Sequence, residues 1–360
     1  MKFSPSSGVA YHYGHDHDDP VRETLTYDDV LLVPQYSDIK SRREVSIASV
    51  LRGNGPTTKL SLPIISSPMD TISEEGMGVA MWQSGGLAVV HRYNTIEEQV
   101  SILDGIIIKA GCNAAAAIGT SGDYLDRATA LYDAGVRILC VDVAHGHHIL
   151  MKEALHELRE VFGDAVHIMA GNIATLEGYN DLVDWGADSV RCNIGGGSIC
   201  STRIQTGHGV PGLQTIIDCA KSERGAPIIA DGGIRNAGDI VKALAAGADF
   251  VMLGSLLAGT DETPGDVINT RRGKFKSYRG MASKDAQVEW RGRASSLEGV
   301  ATTVRCKGPV EDVLEDLSRG IRSGFSYSGA RTLTQLQAKA RFVKQTSAGA
   351  SESSTHILRK

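Results

Sequence analysis

A chain of 360 residues, 42% hydrophobic and 22% charged, is long and apolar enough to bury a large core. Its net charge of −5 removes the electrostatic case for a nucleic-acid partner or an anionic membrane surface. No apolar run is long enough to span a bilayer, and the opening MKFSPSSGVAYHYGHDHDDP lacks an apolar signal core, so a cytoplasmic protein is expected.

Residues 1–23 read as a polar lead-in. Its His12, His15 and His17 beside aspartates invite a metal reading, but Gly14 and the polar alternation do not preorganise a site. From residue 62 onward, short apolar β-prone runs alternate with segments of helical periodicity. The strands are LPIISSPM (62–69), GGLAVVH (85–91), NAAAAIG (113–119), ILCVDVA (138–144), HIMAGNI (167–173), DSVRCNIGG (188–196), PIIADGGI (227–234) and FVMLGS (250–255). Helices are predicted over 96–109, 123–134, 148–161, 175–185, 212–222 and 237–246, and DAGVR, DWGAD and AAGAD each end a helix on glycine before the next strand.

Strands with so little polar alternation are buried on both faces, as in a parallel sheet covered by helices. Eight such units predict an α/β fold, a single-domain (β/α)8 TIM barrel over 24–342. An open doubly wound sheet would need a reversal of strand order that the sequence does not suggest. The strands end in polar or glycine-rich clusters (SSPMD, HRYN, DVAHGHH, AGNI, NIGGGS, ADGG, GSLLAGT), which a barrel gathers on its catalytic face. Residues 256–310, rich in Gly, Arg and Lys, are too long for a plain connection and predict a mobile flap or an excursion with its own hairpin. The small, polar tail 343–360 looks disordered by composition.

Six cysteines without metal-type spacing are expected to be free thiols. Cys200 stands out because it sits among the glycines of NIGGGSICSTR, where backbone N–H groups and Arg203 could lower its pKa and make it a nucleophile. ADGGI (230–234) and GSLLAG (254–259), after the seventh and eighth strands, occupy the usual phosphate site of a barrel, and Asp231 suits a ribose diol.

Taken in order, LTYDDVLLVP (25–34), SSPMDT (66–71), GNIAT (171–175), GGGSICSTR (195–203), ADGGI, FVMLGS and YRGMAS (278–283) closely resemble the IMP dehydrogenase/GMP reductase family from about residue 24 onward. The resemblance implies a thiol, Cys200, that attacks C2 of a purine nucleoside monophosphate (GMP or IMP). It implies Thr202 as a proton relay, with Asp285 or Glu289 replacing the reductases' usual glutamate, whose place holds Lys284. Base and ribose would meet Ser67, Met69, Ser198, Asp231 and Met281. The phosphate would lie on Gly233, Gly254, Ser255 and Tyr278 near Gly280, and Glu298 would face the purine edge. The dinucleotide, NADPH or alternatively NAD, would pass Asp142, Asn172, Arg191 and Gly195. A monovalent cation, K+ in this family, would sit on carbonyls of Gly195, Gly197 and Cys200. Its other ligands would be Glu352, Ser353 and Ser354 from a neighbouring subunit's tail in a homotetramer.

Two features lean toward the reductase branch. His91 and Asn113 are too close for the paired CBS modules that most dehydrogenases insert there, and no tyrosine between Met281 and Glu298 provides the dehydrogenases' water-activating Arg-Tyr pair. LTYDDVLLVP and SSPMDT look more like the dehydrogenase side. The resemblance therefore implies NADPH-dependent conversion of GMP to IMP and ammonia. NAD-dependent oxidation of IMP to XMP is the alternative, and a non-catalytic nucleotide-binding barrel a third possibility.

Overall fold

The computed structural model describes residues 21–112, 114–293, 297–353 and 355. All eight expected strands form, as Ile64–Ser66, Leu87–Val90, Ala115–Ile118, Ile138–Asp142, His167–Ile173, Ser189–Cys192, Ile228–Asp231 and Phe250–Leu253. Each pairs in parallel with its sequence neighbours, and the eighth pairs with the first, closing the barrel in chain order. Residues of one parity face the barrel interior: Ile65, Leu87, Val89, Ala115, Ala117, Ile138, Cys140, Met169, Ile229, Phe250 and Met252 pack there as one buried cluster. The other parity meets the surrounding helices, so both strand faces are apolar and the alternation vanishes from the sequence.

The six expected helices appear as Ile96–Ala110, Tyr124–Asp133, Ile149–Phe162, Leu176–Asp184, Gly212–Cys219 and Ala237–Ala245. The ring is completed by two that were not expected, Glu75–Gln83 and Val310–Tyr327, and Leu333–Lys339 packs beside Ala237–Ala245. A single helix, Ile96–Ala110, connects the second and third barrel strands.

The N-terminal end of the barrel is plugged. Strands Ser49–Leu51 and Thr58–Leu60 form an antiparallel hairpin whose Leu51 and Leu60 join the interior cluster. Its turn lies so close to the strand starts that a Cβ on Gly55 would fall 2.2 Å from the carbonyl oxygen of Val166. Buried Asp188 ties the turn down, accepting from the N–H groups of Asn54 (2.7 Å) and Ile168 (2.8 Å) and from Arg159 (2.5 Å).

Between the eighth strand and Val310–Tyr327 the chain makes the excursion with its own hairpin: a three-stranded antiparallel sheet, Ile268–Thr270, Gly273–Arg279 and Ala301–Arg305, with helix Lys284–Arg291 between the last two strands. As far as Ser353 the tail is more ordered than its composition suggested. Phe342–Lys344 pairs antiparallel with Val30–Leu32, with Val30 opposite Lys344. Helix Ser347–Glu352 follows, capped by the Thr346 hydroxyl, which accepts from the Gly349 N–H. Local hydrogen bonding and an available edge strand supply the order that apolar content does not. No helix among the described residues is long and apolar enough to cross a membrane.

Candidate active site

One cleft at the C-terminal end of the barrel gathers most of the residues singled out by sequence. It is lined by Ser67 and Met69 after the first strand, Asp142 on the fourth, Asn172 on the fifth and Arg191 on the sixth. Gly195, Gly197, Ser198, Cys200 and Thr202 enter from the next loop, Asp231 and Gly233 from the seventh strand, and Gly254 and Ser255 from the eighth. Tyr278, Gly280, Met281 and Glu298 come from the excursion. The first loop is held by the Ser73 hydroxyl, which donates to the Ser67 carbonyl (2.7 Å) and pairs with Ser66 (2.7 Å).

Cys200 is half-buried, with its Sγ 3.1 Å from the hydroxyl of Thr202, the first residue of the short helix Thr202–Thr206. Its loop is clamped to the excursion: the Ser201 N–H donates to the Glu298 carbonyl (2.9 Å) and the Val300 N–H to the Ile199 carbonyl (3.0 Å). The glycines serve this shape. Gly195 has φ +75° and lies against Arg203, whose Cγ would be 2.5 Å from any Cβ there. Arg203 does not serve the thiol in the way expected. Its guanidinium donates to the carbonyls of Ile194 (3.0 Å) and Val210 (2.6 Å) and to Asn193 (3.3 Å), so it staples the loop backbone. Asn193, which sequence reading missed, holds the other side by donating to the carbonyls of Asp231 (2.9 Å) and Gly232 (3.3 Å).

A buried charge network crosses the cleft floor. Arg191 is hydrogen-bonded to the Asp142 carboxylate and donates to Asp231 Oδ2 through Nη2 (2.8 Å) and Nε (3.1 Å). Asn172 donates to the same oxygen (2.7 Å). Burial works against the Arg191 charge, but Asp231 and Asp142 more than offset it and hold the guanidinium protonated. Arg191 thereby links the residue assigned to a ribose with one assigned to the dinucleotide. At the far wall, burial raises the pKa of the Tyr278 phenol above its ordinary value, while hydrogen bonds from Ser198 and Ser255 act the other way.

The structure does not bring Asp285 and Glu289 into the cleft. Both are exposed on helix Lys284–Arg291, whose buried face carries Ala286 and Gln287, and Glu289 instead pairs with Arg279 (2.5 Å), which also holds Asp70 (2.5 Å). Glu352 and Ser353 are exposed on the tail, away from the cleft of their own chain, with Ser353 donating to Gln345 (3.2 Å) and the Gly349 carbonyl (3.0 Å). Ser354 lies outside the described residues, as do His12, His15 and His17. Arg92 and Tyr93, from the loop after the second strand, also line the cleft and had been given no role.

A closed (β/α)8 barrel with a thiol, glycine-rich loops and a buried carboxylate gathered on its C-terminal face is an enzyme architecture. Comparison with known proteins agrees. Residues 24–356 match the sequence model described as IMP dehydrogenase / GMP reductase domain. The chain is 34% identical over 472 residues to an inosine-5'-monophosphate dehydrogenase of Nitrosopumilus maritimus (93% of this chain, 98% of that one). It is 33% identical over 483 residues to a GMP reductase of Leishmania major (94% and 98%) and 36% identical over 386 residues to an inosine-5'-monophosphate dehydrogenase of Cryptosporidium parvum (92% and 94%). A crystal structure of a cysteine-to-alanine variant of GMP reductase from Trypanosoma brucei, in complex with guanosine 5'-monophosphate, superposes with a TM-score of 0.87 at 32% identity, covering 94% of this chain and 98% of that one. The chain belongs to the IMP dehydrogenase/GMP reductase family, oxidoreductases of purine metabolism that use a nicotinamide dinucleotide.

Proposed function

We propose that the protein is a GMP reductase, converting GMP and NADPH to IMP, ammonia and NADP+ through a covalent Cys200 intermediate. The observation that carries this reading is the Cys200–Thr202 pair at 3.1 Å in a chain whose sequence has no tyrosine between Met281 and Glu298. Sγ bonds to purine C2 as the C2–amino bond breaks. The thiol proton passes through the Thr202 hydroxyl to the departing nitrogen, giving ammonia and a thioimidate. NADPH, when bound, supplies the hydride for C2. One further proton returns Cys200 to the thiol as the C–S bond breaks and IMP leaves, so atoms and charge balance. Water attack on the same thioimidate would give XMP, but it needs a base, and a well-placed one contributes about 10²–10⁴-fold.

Asp231 and the walls formed by Ser67, Met69 and Tyr278 suit a nucleoside monophosphate, and the GMP-bound T. brucei neighbour supports that substrate. Carbonyls of Gly195, Gly197 and Cys200 would hold the potassium ion, completed by the tail of a neighbouring copy in a homotetramer. The placement of Glu352 and Ser353 away from their own cleft is consistent with such an exchange.

IMP oxidation is the second reading, favoured by the dehydrogenase names among the relatives. Incubation with GMP plus NADPH, and separately with IMP plus NAD, followed at the NADPH absorbance band, decides between them. Loss of absorbance with release of ammonia is expected in the first, and little or no XMP in the second. XMP formation at a rate equal to or above GMP reduction would overturn the assignment.

A further inference from the structure

The dinucleotide side of the cleft contains a cation that no carboxylate of the described chain neutralises. Two arginines line the cleft, and Arg191 is committed to Asp142 and Asp231. Arg92 forms no ion pair among the described residues. Its Nη2 donates to the Asp142 carbonyl (3.2 Å), while its Nε is buried without a hydrogen-bond partner. The guanidinium sits over the Tyr93 ring, 5.1 Å from the centroid, and the flap's Trp290 meets that ring edge-on at 5.2 Å. Buried N–H groups are nearly always satisfied, so an orphaned one on a cleft-lining cation points to a ligand acceptor.

We propose that Arg92 binds the pyrophosphate of the dinucleotide. Its planar fork matches the paired oxygens of a diphosphate, and the Tyr93 ring and the Asp142 carbonyl hold that plane in place before any ligand arrives. The wall assigned to the nucleotide's own phosphate (Gly233, Gly254, Ser255, Tyr278) has a cation of its own beside it, Lys307, which donates to the Ser255 carbonyl (2.9 Å), so that group does not call on Arg92. The assignment rests on the proposed function only in requiring a dinucleotide beside the purine nucleotide.

The test measures binding rather than turnover. In a Cys200→Ala background with GMP saturating, dissociation constants are determined by calorimetry for NADPH, NADH and ADP-ribose, which share the pyrophosphate. Adding Arg92→Gln should weaken all three by about tenfold or more while GMP affinity stays within about twofold. Arg92→Lys should fall between, since it keeps the charge and loses the fork. Unchanged binding of all three would overturn the assignment, as would weakening confined to NADPH, which would place the 2′-phosphate there instead. If Arg92→Gln fails to fold, Arg92→Lys decides: weaker binding of all three supports the assignment and parent-like binding overturns it. A parent protein that binds GMP but no dinucleotide overturns the reductase reading and the role of Arg92 together. Dinucleotide binding indifferent to position 92 overturns only the latter.

Discussion

The two ends of the barrel use the same eight strands in opposite ways. At the N-terminal end most groups are answered from within the chain: Leu51 and Leu60 fill the interior, and Asp188 receives donors from Asn54, Ile168 and Arg159, with His167 Nδ1 left without a hydrogen-bond partner. At the C-terminal end the strands release glycine-rich loops around a thiol, a shared carboxylate and an arginine with an unanswered N–H. Tight packing at one end makes the openness of the other tolerable, because loops shaped for a ligand contribute little packing of their own.

Substitutions at the two ends should therefore separate rate from stability. The largest effect is expected at the top, where Cys200→Ala should lower turnover by at least about 10³-fold while nucleotide affinity changes by less than about tenfold, since base, ribose and phosphate contacts remain. More than a few per cent residual activity would show that no covalent step occurs. At the bottom, Leu51→Ala should cost about 2–5 kcal/mol of unfolding free energy and leave the KM for GMP unchanged. A shifted KM at unaltered stability would erase the distinction between the ends.

A smaller effect should come from His167, also at the N-terminal end. Burial, with Arg159 adding to it and Asp188 opposing, pushes its pKa down to about 4. Between the unfolded value near 6.5 and that folded value, the unfolded chain binds a proton that the folded chain refuses. Stability must then fall as pH drops through this window, by up to about 1.4 kcal/mol per pH unit, and the contribution is constant above and below it. Denaturation curves across that range should show a shallower acid slope for His167→Gln. An identical slope would mean that His167 takes up its proton in the folded state as readily as in the unfolded chain.

The strands were legible because burial on both faces leaves uninterrupted apolar runs. Helix Glu75–Gln83 was not, since it contains two glycines and its N-cap, Glu74, makes no side-chain cap. Val310–Tyr327 has a clear stripe in Val310, Leu314, Leu317, Ile321 and Phe325, but it follows a long excursion instead of a strand, so the βα alternation did not point to it. Within the site, motif residues could be located by their loops, whereas the direction of a side chain could not. Asp285 and Glu289 lie close to Met281 in sequence, yet one helical turn carries them to solvent. Arg203 is three residues from Cys200 and turns to the backbone, and Arg92 faces the cleft from HRYN, a strand-end cluster placed on the catalytic face with no role given to its residues.

The pairing of Val30–Leu32 with Phe342–Lys344 joins the two places where the chain enters and leaves the barrel. Backbone bonds continue the pairing past both strand ends, with the Gln345 N–H donating to the Asp29 carbonyl (2.8 Å) and the Val33 N–H to the Arg341 carbonyl (2.8 Å). The entry it ties to the exit is itself anchored on the barrel, by Lys242, which donates to the Tyr27 carbonyl (2.8 Å), and by Arg235, paired with Asp28 (2.6 Å), so the two chain ends and the helix Ala237–Ala245 are held as one unit.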